Sequence, residues 1–337
     1  MAHRLLLQPA VQLGVVPTHI KFAGGLAPDG SGRLPREDDG RIMIVAEMDR
    51  ICSQSPVRPT CAQVTYFAGT DAGDIAEMFA GLRALDLEPH MIMMVGGANP
   101  MDPADEDAVA AQLLGGLAIA KQHDIRHVSS TSVEEWMKGD KRRDGADFDA
   151  AVAQTAKLHA RVVREAGLEG TAIKNWHLEF LRPGEFKTFT DIGRVWQFVQ
   201  AVNKELGKTF FKILADAAHC GDSGLSIPEN QELIKKIAAS GELGIFHASS
   251  KTTRGCLSTD DGWIAALLST AAASGELRHA FVEVFHHEDD GLAPLRALDP
   301  GHGIDTRDGR TYTEVVIDGL VDVAHRLNNL KARGFLA

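Results

Sequence analysis

The sequence predicts a single (β/α)8 (TIM) barrel, and three observations support this fold class. Short apolar runs rich in strand-forming residues alternate with segments of helical spacing, eight times over residues 1–337. No linker-like break interrupts the alternation, so we expect one domain. The last four runs each end in an acid or a histidine, which a closed barrel would gather around one axis. An open doubly wound sheet, the alternative fold, would instead place them along an edge.

The first four units fill the amino-terminal half. We expect a strand between Leu5 and Phe22, a long polar loop over Gly24–Gly40 and a helix over Arg41–Ser53. Further strands and helices alternate, in order, at Cys61–Gly69, Ile75–Leu85, Pro89–Val95, Asp105–His123 and Arg126–Ser132. The charged segment Glu134–Asp147 predicts a solvated loop, which leads into a long helix over Phe148–Ala166.

The last four units share one design, in which an apolar run ends in a polar residue. The fifth strand lies in Thr171–Glu185 (TAIKNWHLEFLRPGE) and ends at Glu179, before a Pro-Gly turn. The next three runs are FKILADAAHCG with Asp216, LGIFHASS with His247 and AFVEVFHHEDD with Glu283. Helices are predicted at Thr190–Leu206, Ile227–Ala239 and Asp261–Ala273, a second long loop at Asp289–Arg310 and a closing helix at Tyr312–Ala332.

Composition excludes several classes of protein. The net charge of −11 argues against a nucleic-acid partner, which would favour an excess of Lys and Arg. No stretch approaches 18 uninterrupted apolar residues, so we expect no membrane span, and the amino terminus lacks the long apolar core of a signal peptide. The four cysteines form no CxxC pair and predict reduced thiols. These features favour a cytoplasmic protein.

The spacing of the four polar strand ends predicts a metal site. Glu179, Asp216, His247 and Glu283 are 37, 31 and 36 residues apart, about the length of one strand–helix unit. Three carboxylates that converge in a partly desolvated mouth repel one another, and one unpaired buried ion costs several kcal/mol. Oxygen donors with one imidazole suit Mn²⁺, Mg²⁺, Co²⁺ or Zn²⁺. Each residue alone has an ordinary structural interpretation, such as an ion pair, but their joint spacing favours one divalent ion.

Four neighbouring residues are candidates for substrate contact. His219 stands three residues after Asp216 and is expected in the loop that follows the strand. His177 shares the strand face of Glu179, because side chains alternate along a strand, and a structural role is an equal alternative. Glu185 lies just past the Pro-Gly turn. Arg254, seven residues beyond His247, is a loop cation that could hold a hydroxyl or a phosphate.

The order Glu … Asp-x-x-His … His … Glu on strands five to eight resembles the xylose-isomerase-like barrel superfamily. EFLRPGE is similar to the motif of its ketose 3-epimerase branch, in which a second, substrate-contacting Glu follows the metal-binding Glu by six residues. The resemblance covers the second half of the chain. It implies a metal held by Glu179, Asp216, His247 and Glu283.

The same resemblance implies roles for individual residues. Glu179 and Glu283 would be the acid/base pair, and His219 and Glu185 would touch substrate oxygens. The family's substrate-contacting Arg stands six residues after the metal His, where this chain has Thr253, so Arg254 is displaced by one position. Dimers or tetramers are typical of the superfamily, and we expect a homodimer or homotetramer.

We therefore expect a metal-dependent sugar isomerase or epimerase. A divalent ion bound to a carbonyl and the adjacent hydroxyl would stabilise the developing enediolate, while one Glu on each face removes and returns the proton. The alternative is a lyase or dehydratase acting on a keto-sugar or keto-glycoside, similar to an inosose dehydratase. An abasic-site endonuclease of the same superfamily would need more ligands and a basic groove. A non-catalytic sugar-binding protein is the remaining alternative.

Overall fold

The computed structural model describes residues 5–17, 27–250, 261–284, 293–298 and 310–336. Eight parallel strands form a closed barrel in the order β1 to β8, so the predicted (β/α)8 barrel is confirmed and the open sheet is wrong. The strands are β1 (Gln12–Val16), β2 (Cys61–Tyr66), β3 (Glu88–Met93), β4 (His127–Ser130), β5 (Asn175–Leu178), β6 (Phe211–Asp216), β7 (Leu243–Ala248) and β8 (His279–Glu283).

The helices of the described residues follow the strands. They are α1 (Met43–Gln54), α2 (Ala72–Ala84), α3 (Glu106–Gln122), α4 (Ala146–Ala166), α5 (Ile192–Leu206), α6 (Ala217–Asp222), α7 (Ile227–Ala239), α8 (Trp263–Ala273), α9 (Ala293–Leu298) and α10 (Tyr312–Ala332). The bounds of α7 and α10 are those predicted, because capping boxes define both amino ends, from Ser226 with Glu229 and from Thr311 with Glu314.

Two short helices differ from the prediction. The six-residue α6 follows β6 without a loop, and it carries His219, which was expected in a loop. The six-residue α9 lies inside the predicted loop Asp289–Arg310, the rest of which falls almost wholly outside the described residues. Helices of this length have too few residues to display a helical period, so the pattern of apolar residues could not reveal them.

The chain divides into two compact units. The expectation of one domain stays a prediction. The first unit comprises Met1–Pro89, Asp216–Ala218 and Ile245–Ala337. In it β1 pairs with β2 and β8, and β8 pairs with β7. Gly14 permits the close approach of these strands, because a Cβ there would lie 2.6 Å from atoms of Cys61 and Phe281.

Polar contacts anchor the edges of the first unit. The hydroxyl of Tyr312, at the start of α10, donates a hydrogen bond of 2.6 Å to the carbonyl of Val284, the residue after β8. Residues 27–40, the described part of the predicted polar loop, contain no helix or strand, and Arg33 and Arg36 both contact the carboxylate of Asp74 at 2.7 Å. No described helix is long and apolar enough to cross a membrane.

The second unit, His90–Ala215 and His219–Gly244, contains the β3–β4, β4–β5 and β5–β6 pairs. His159 of α4 is completely buried beneath the barrel wall, with its ring 5.3 Å from that of Trp176. Its Nδ1 donates to the carbonyl of Thr155 at 2.7 Å, so Nε2 accepts from Ser132 Oγ at 2.8 Å. Burial lowers the pKa of His159 to about 4, and the ring is neutral at pH 7.

A chain of hydroxyls continues from His159 to the end of β4. Ser132 Oγ lies 2.7 Å from Ser130 Oγ, which accepts a hydrogen bond of 2.8 Å from the indole of Trp176. Nε2 of the neutral imidazole can only accept, so Ser132 donates to His159 and accepts from Ser130. The network therefore fixes the first residues after β4 against helix α4.

Candidate metal centre

Three of the predicted ligands lie together in the first unit, at the carboxyl ends of their strands. Asp216 ends β6, Glu283 ends β8, and His247 is the penultimate residue of β7. The imidazole Nδ1 of His247 lies 3.2 Å from Glu283 Oε2 and 3.9 Å from Asp216 Oδ2. Asp216 and His247 are completely buried, and Glu283 is 6% exposed. We call these three residues, together with Gln63 of β2, which contacts His247, the strand-end cluster.

Gln63 was not predicted as a site residue. It lies on β2, is completely buried, and places its Oε1 2.7 Å from Nε2 of His247. A signal for it exists in the sequence, because it is the one amide within the apolar run CAQVTYFAG. Such an amide in a barrel strand needs a buried polar partner.

Glu179 directly follows β5 and is 9% exposed. Its Oε1 lies 3.5 Å from Nε2 of His219, which is buried on α6. The structure thus brings together three of the residues that the strand spacing singled out, Asp216, His247 and Glu283. The assignment of Glu179 as the fourth ligand stays a prediction.

The donor set fits a divalent cation. The two carboxylates of Asp216 and Glu283 beside one buried imidazole concentrate negative charge in a medium of low polarity, where the repulsion between like charges is strong. A doubly charged ion offsets that repulsion, and carboxylate oxygens with one imidazole are the donors that Mn²⁺, Mg²⁺, Co²⁺ and Zn²⁺ accept. These residues therefore form a candidate metal site.

Glu185 accepts hydrogen bonds from an arginine and a tryptophan, which the sequence did not reveal. Its carboxylate accepts a hydrogen bond from Arg182 Nε at 3.0 Å and another from the indole of Trp136 at 3.2 Å. Arg182 and Glu185 are 7% and 5% exposed, and Arg182 also lies 3.9 Å from Asp222. The substrate contact proposed for Glu185 stays a prediction, and its carboxylate is held in one orientation by these two donors.

The segment Glu134–Asp147 is exposed or half-buried, as predicted for a solvated loop, except at its first residue. Glu134 is 2% exposed, and its carboxylate accepts hydrogen bonds from the backbone N–H groups of Lys187, Thr188 and Phe189 at 2.9, 2.8 and 3.0 Å. Three amide dipoles compensate the buried charge, as they do for anions at helix amino ends. We call Glu134, Trp136, Arg182 and Glu185 the loop clamp.

The two remaining candidates have different outcomes. His177 is buried inside the barrel wall, two residues before Glu179, with Nδ1 3.1 Å from the carbonyl of Val128 and its ring 5.6 Å from that of His127. This packing accords with the structural alternative for His177, and a substrate role stays a prediction. Arg254 lies outside the described residues.

Comparison with known proteins supports the fold. No family model and no curated protein matches the chain. A structure of L-ribulose 3-epimerase superposes with a TM-score of 0.71 and 14% identity, covering 96% of both chains. D-allulose 3-epimerase from Methylomonas sp. in complex with D-allulose gives a TM-score of 0.70 and 14% identity, covering 96% of this chain and 100% of that one.

A third structure, the IOLI protein with a zinc atom, has a TM-score of 0.58 and 12% identity, covering 83% of this chain and 92% of its own. At these identities the similarity establishes the fold. The (β/α)8 barrel that the resemblance implied is thereby supported, and the place of this chain in the xylose-isomerase-like superfamily stays a prediction.

Proposed function

We propose that this chain is a divalent-metal-dependent sugar isomerase or epimerase. The observation that carries the proposal is the contact of buried Asp216, His247 and Glu283 at the strand ends of this barrel, and we propose Glu179 as the fourth ligand. Structures with the same fold include epimerases in complex with D-allulose and with D-tagatose, which supports a sugar as the ligand. The zinc atom of the IOLI protein supports a metal in a barrel of this kind. Among divalent ions we favour Mn²⁺ for this chain.

In this proposal the protein residues hold substrate and move its proton. The C–H bond next to the sugar carbonyl breaks, its proton passes to Glu179 or Glu283, and the electron pair moves to the carbonyl oxygen. The other Glu delivers a proton to the opposite face, which inverts the carbon. A bound divalent cation would supply positive charge that stabilises the developing oxyanion, a contribution of several kcal/mol in typical enzymes. His219, 3.5 Å from Glu179, orients that carboxylate.

The test combines metal analysis with a panel of substrates. Purified protein is stripped with a chelator, reloaded separately with Mn²⁺, Mg²⁺, Co²⁺ or Zn²⁺, and incubated with free ketoses and, in parallel, with keto-glycosides. An epimer or aldose of unchanged mass is the expected product. Release of water or an aglycone from a keto-glycoside would instead identify a lyase or dehydratase.

Two variants test the acid/base roles. Glu179→Gln and Glu283→Gln are each expected to lower turnover about 10²–10⁴-fold while a cation remains bound, because each amide retains an oxygen ligand but cannot take a proton. Unchanged turnover in both variants would contradict the proposed chemistry. The expected homodimer or homotetramer is measured separately by analytical ultracentrifugation.

A further inference from the structure

We infer that Gln63 is a positioning residue that selects the tautomer of His247, so that Nδ1 is the atom presented to the metal. The inference rests on the metal-binding role proposed above for His247. It assigns a function to a residue of β2, a strand that carries none of the predicted ligands.

The first step concerns the two nitrogens of one buried ring. Nε2 of His247 lies 2.7 Å from Gln63 Oε1, and Nδ1 lies 3.2 Å from Glu283 Oε2. A carbonyl oxygen can only accept a hydrogen bond, so a contact of 2.7 Å requires a proton on Nε2. An unprotonated Nε2 would bring two lone pairs together in a completely buried environment, where the repulsion is costly.

The second step concerns Nδ1, which faces Glu283 and Asp216 at 3.2 and 3.9 Å. A carboxylate oxygen can only accept, so Nδ1 either donates a proton to Glu283 or offers its lone pair to a cation that lies between the ring and the carboxylates. In both cases the proton on Nε2 stays with Gln63. Gln63 therefore prepares the ring for a metal, since a metal-binding His usually donates its other N–H to a polar partner that fixes the tautomer.

The tautomer can be measured on the metal-free protein, without any substrate. Protein labelled with ¹⁵N-histidine reports through two-bond couplings which ring nitrogen carries the proton, and a His247→Asn sample identifies the His247 signals. A proton on Nε2 is expected for the wild type, with or without a second proton on Nδ1. A proton on Nδ1 alone would overturn the inference, whether or not the protein binds a metal.

Metal affinity gives the second readout, by titration of the chelator-stripped protein with Mn²⁺ in a calorimeter. Gln63→Met keeps the length of the side chain but removes the acceptor, and we expect a 10–100-fold loss of affinity. Gln63→Glu has only acceptor oxygens, so its affinity should equal or exceed that of the wild type. The control is Gln154→Met, the same exchange on α4, where the amide donates to Glu106 at 3.0 Å. Its affinity should not change.

The outcomes are distinguishable from those of the proposed function. If Gln63→Met binds Mn²⁺ as tightly as the wild type, or if Gln63→Glu loses as much affinity as Gln63→Met, the inference fails while the enzyme proposal stands. If the wild type binds no divalent cation, the enzyme proposal fails, and the proton position in the metal-free protein still decides the role of Gln63.

Discussion

The strand-end cluster and the loop clamp hold their charged groups in different ways. In the strand-end cluster Asp216, His247 and Glu283 project from strands and contact one another. In the loop clamp Glu134 and Glu185 lie in segments between regular elements and are held by backbone N–H groups, an indole and a guanidinium. Strands place side chains by register alone, whereas a loop needs its own hydrogen bonds to hold a carboxylate in place.

This difference has a chemical meaning. In the strand-end cluster, carboxylates of like charge lie close together, and a bound cation would offset their repulsion. In the loop clamp, hydrogen-bond donors of the protein itself compensate the carboxylates, so these contacts stabilise the conformation of the loops. We therefore expect variants of the first region to change metal binding and variants of the second to change stability and substrate affinity.

The largest effect is expected for Asp216→Asn. Asparagine keeps an oxygen ligand but removes one buried charge from the strand-end cluster, so we expect Mn²⁺ affinity to fall in calorimetry and turnover to fall at least about 10³-fold when Mn²⁺ is not in excess. In the wild type, added Mn²⁺ should raise the midpoint of thermal unfolding, because a ligand that binds the folded state stabilises it.

Asp39→Asn is the control for Asp216→Asn, because Asp39 is an exposed residue of the 27–40 segment. A Mn²⁺-dependent shift of the unfolding midpoint in Asp216→Asn equal to that of the wild type would remove the distinction between the two regions.

Glu134→Ala should give the largest change in stability from the loop clamp. The substitution leaves three buried or half-buried backbone N–H groups without their acceptor, which we expect to cost about 3 kcal/mol of the free energy of unfolding. Urea denaturation measures this cost. Glu135→Ala, which removes an acceptor from the exposed N–H of Gly97, should cost less than about 1 kcal/mol. Equal costs would show that the clamp has no special role.

His159 should make the stability of the segment after β4 depend on pH. Its pKa is about 4 in the folded protein and about 6.5 when unfolded, so the unfolded chain binds a proton first as the pH falls. Stability contributed by the neutral ring is complete above pH 6.5 and is lost toward pH 4. Between pH 7 and pH 5 the loss is about 2 kcal/mol.

Urea denaturation at pH 7 and pH 5 measures the difference for the wild type and for His159→Gln, which cannot titrate. The variant should lack the part of the pH dependence that His159 contributes. An identical pH dependence in the two proteins would mean that this histidine does not couple the network to pH.

The smallest effect is expected for Trp136→Phe. This exchange removes one donor to Glu185, in a partly exposed position, while Arg182 continues to hold the same carboxylate. We expect a change of about 0.5–1.5 kcal/mol in the free energy of unfolding and no change in Mn²⁺ affinity. If Mn²⁺ affinity falls as far as in Gln63→Met, the two regions act as one site.

The same difference explains what could be predicted from sequence. Strand ends recur with the length of a unit, so the spacing of Glu179, Asp216, His247 and Glu283 was visible without a structure. The roles of Glu134 and Arg182 depend on how the loop after β4 packs against the loop after β5. Neither composition nor periodicity carries that information. Gln63 lies between these cases, because a lone amide in an apolar strand signals a buried partner but does not identify His247.

The bond from Tyr312 to the carbonyl of Val284 joins the last helix to the residue that follows Glu283. The carboxyl-terminal helix therefore braces the end of β8, which carries Glu283, although the helix itself contributes no residue to the strand-end cluster. Removal of α10 would lose this hydrogen bond. A shortened chain made for crystallisation or fusion should therefore keep all of α10, through Ala332.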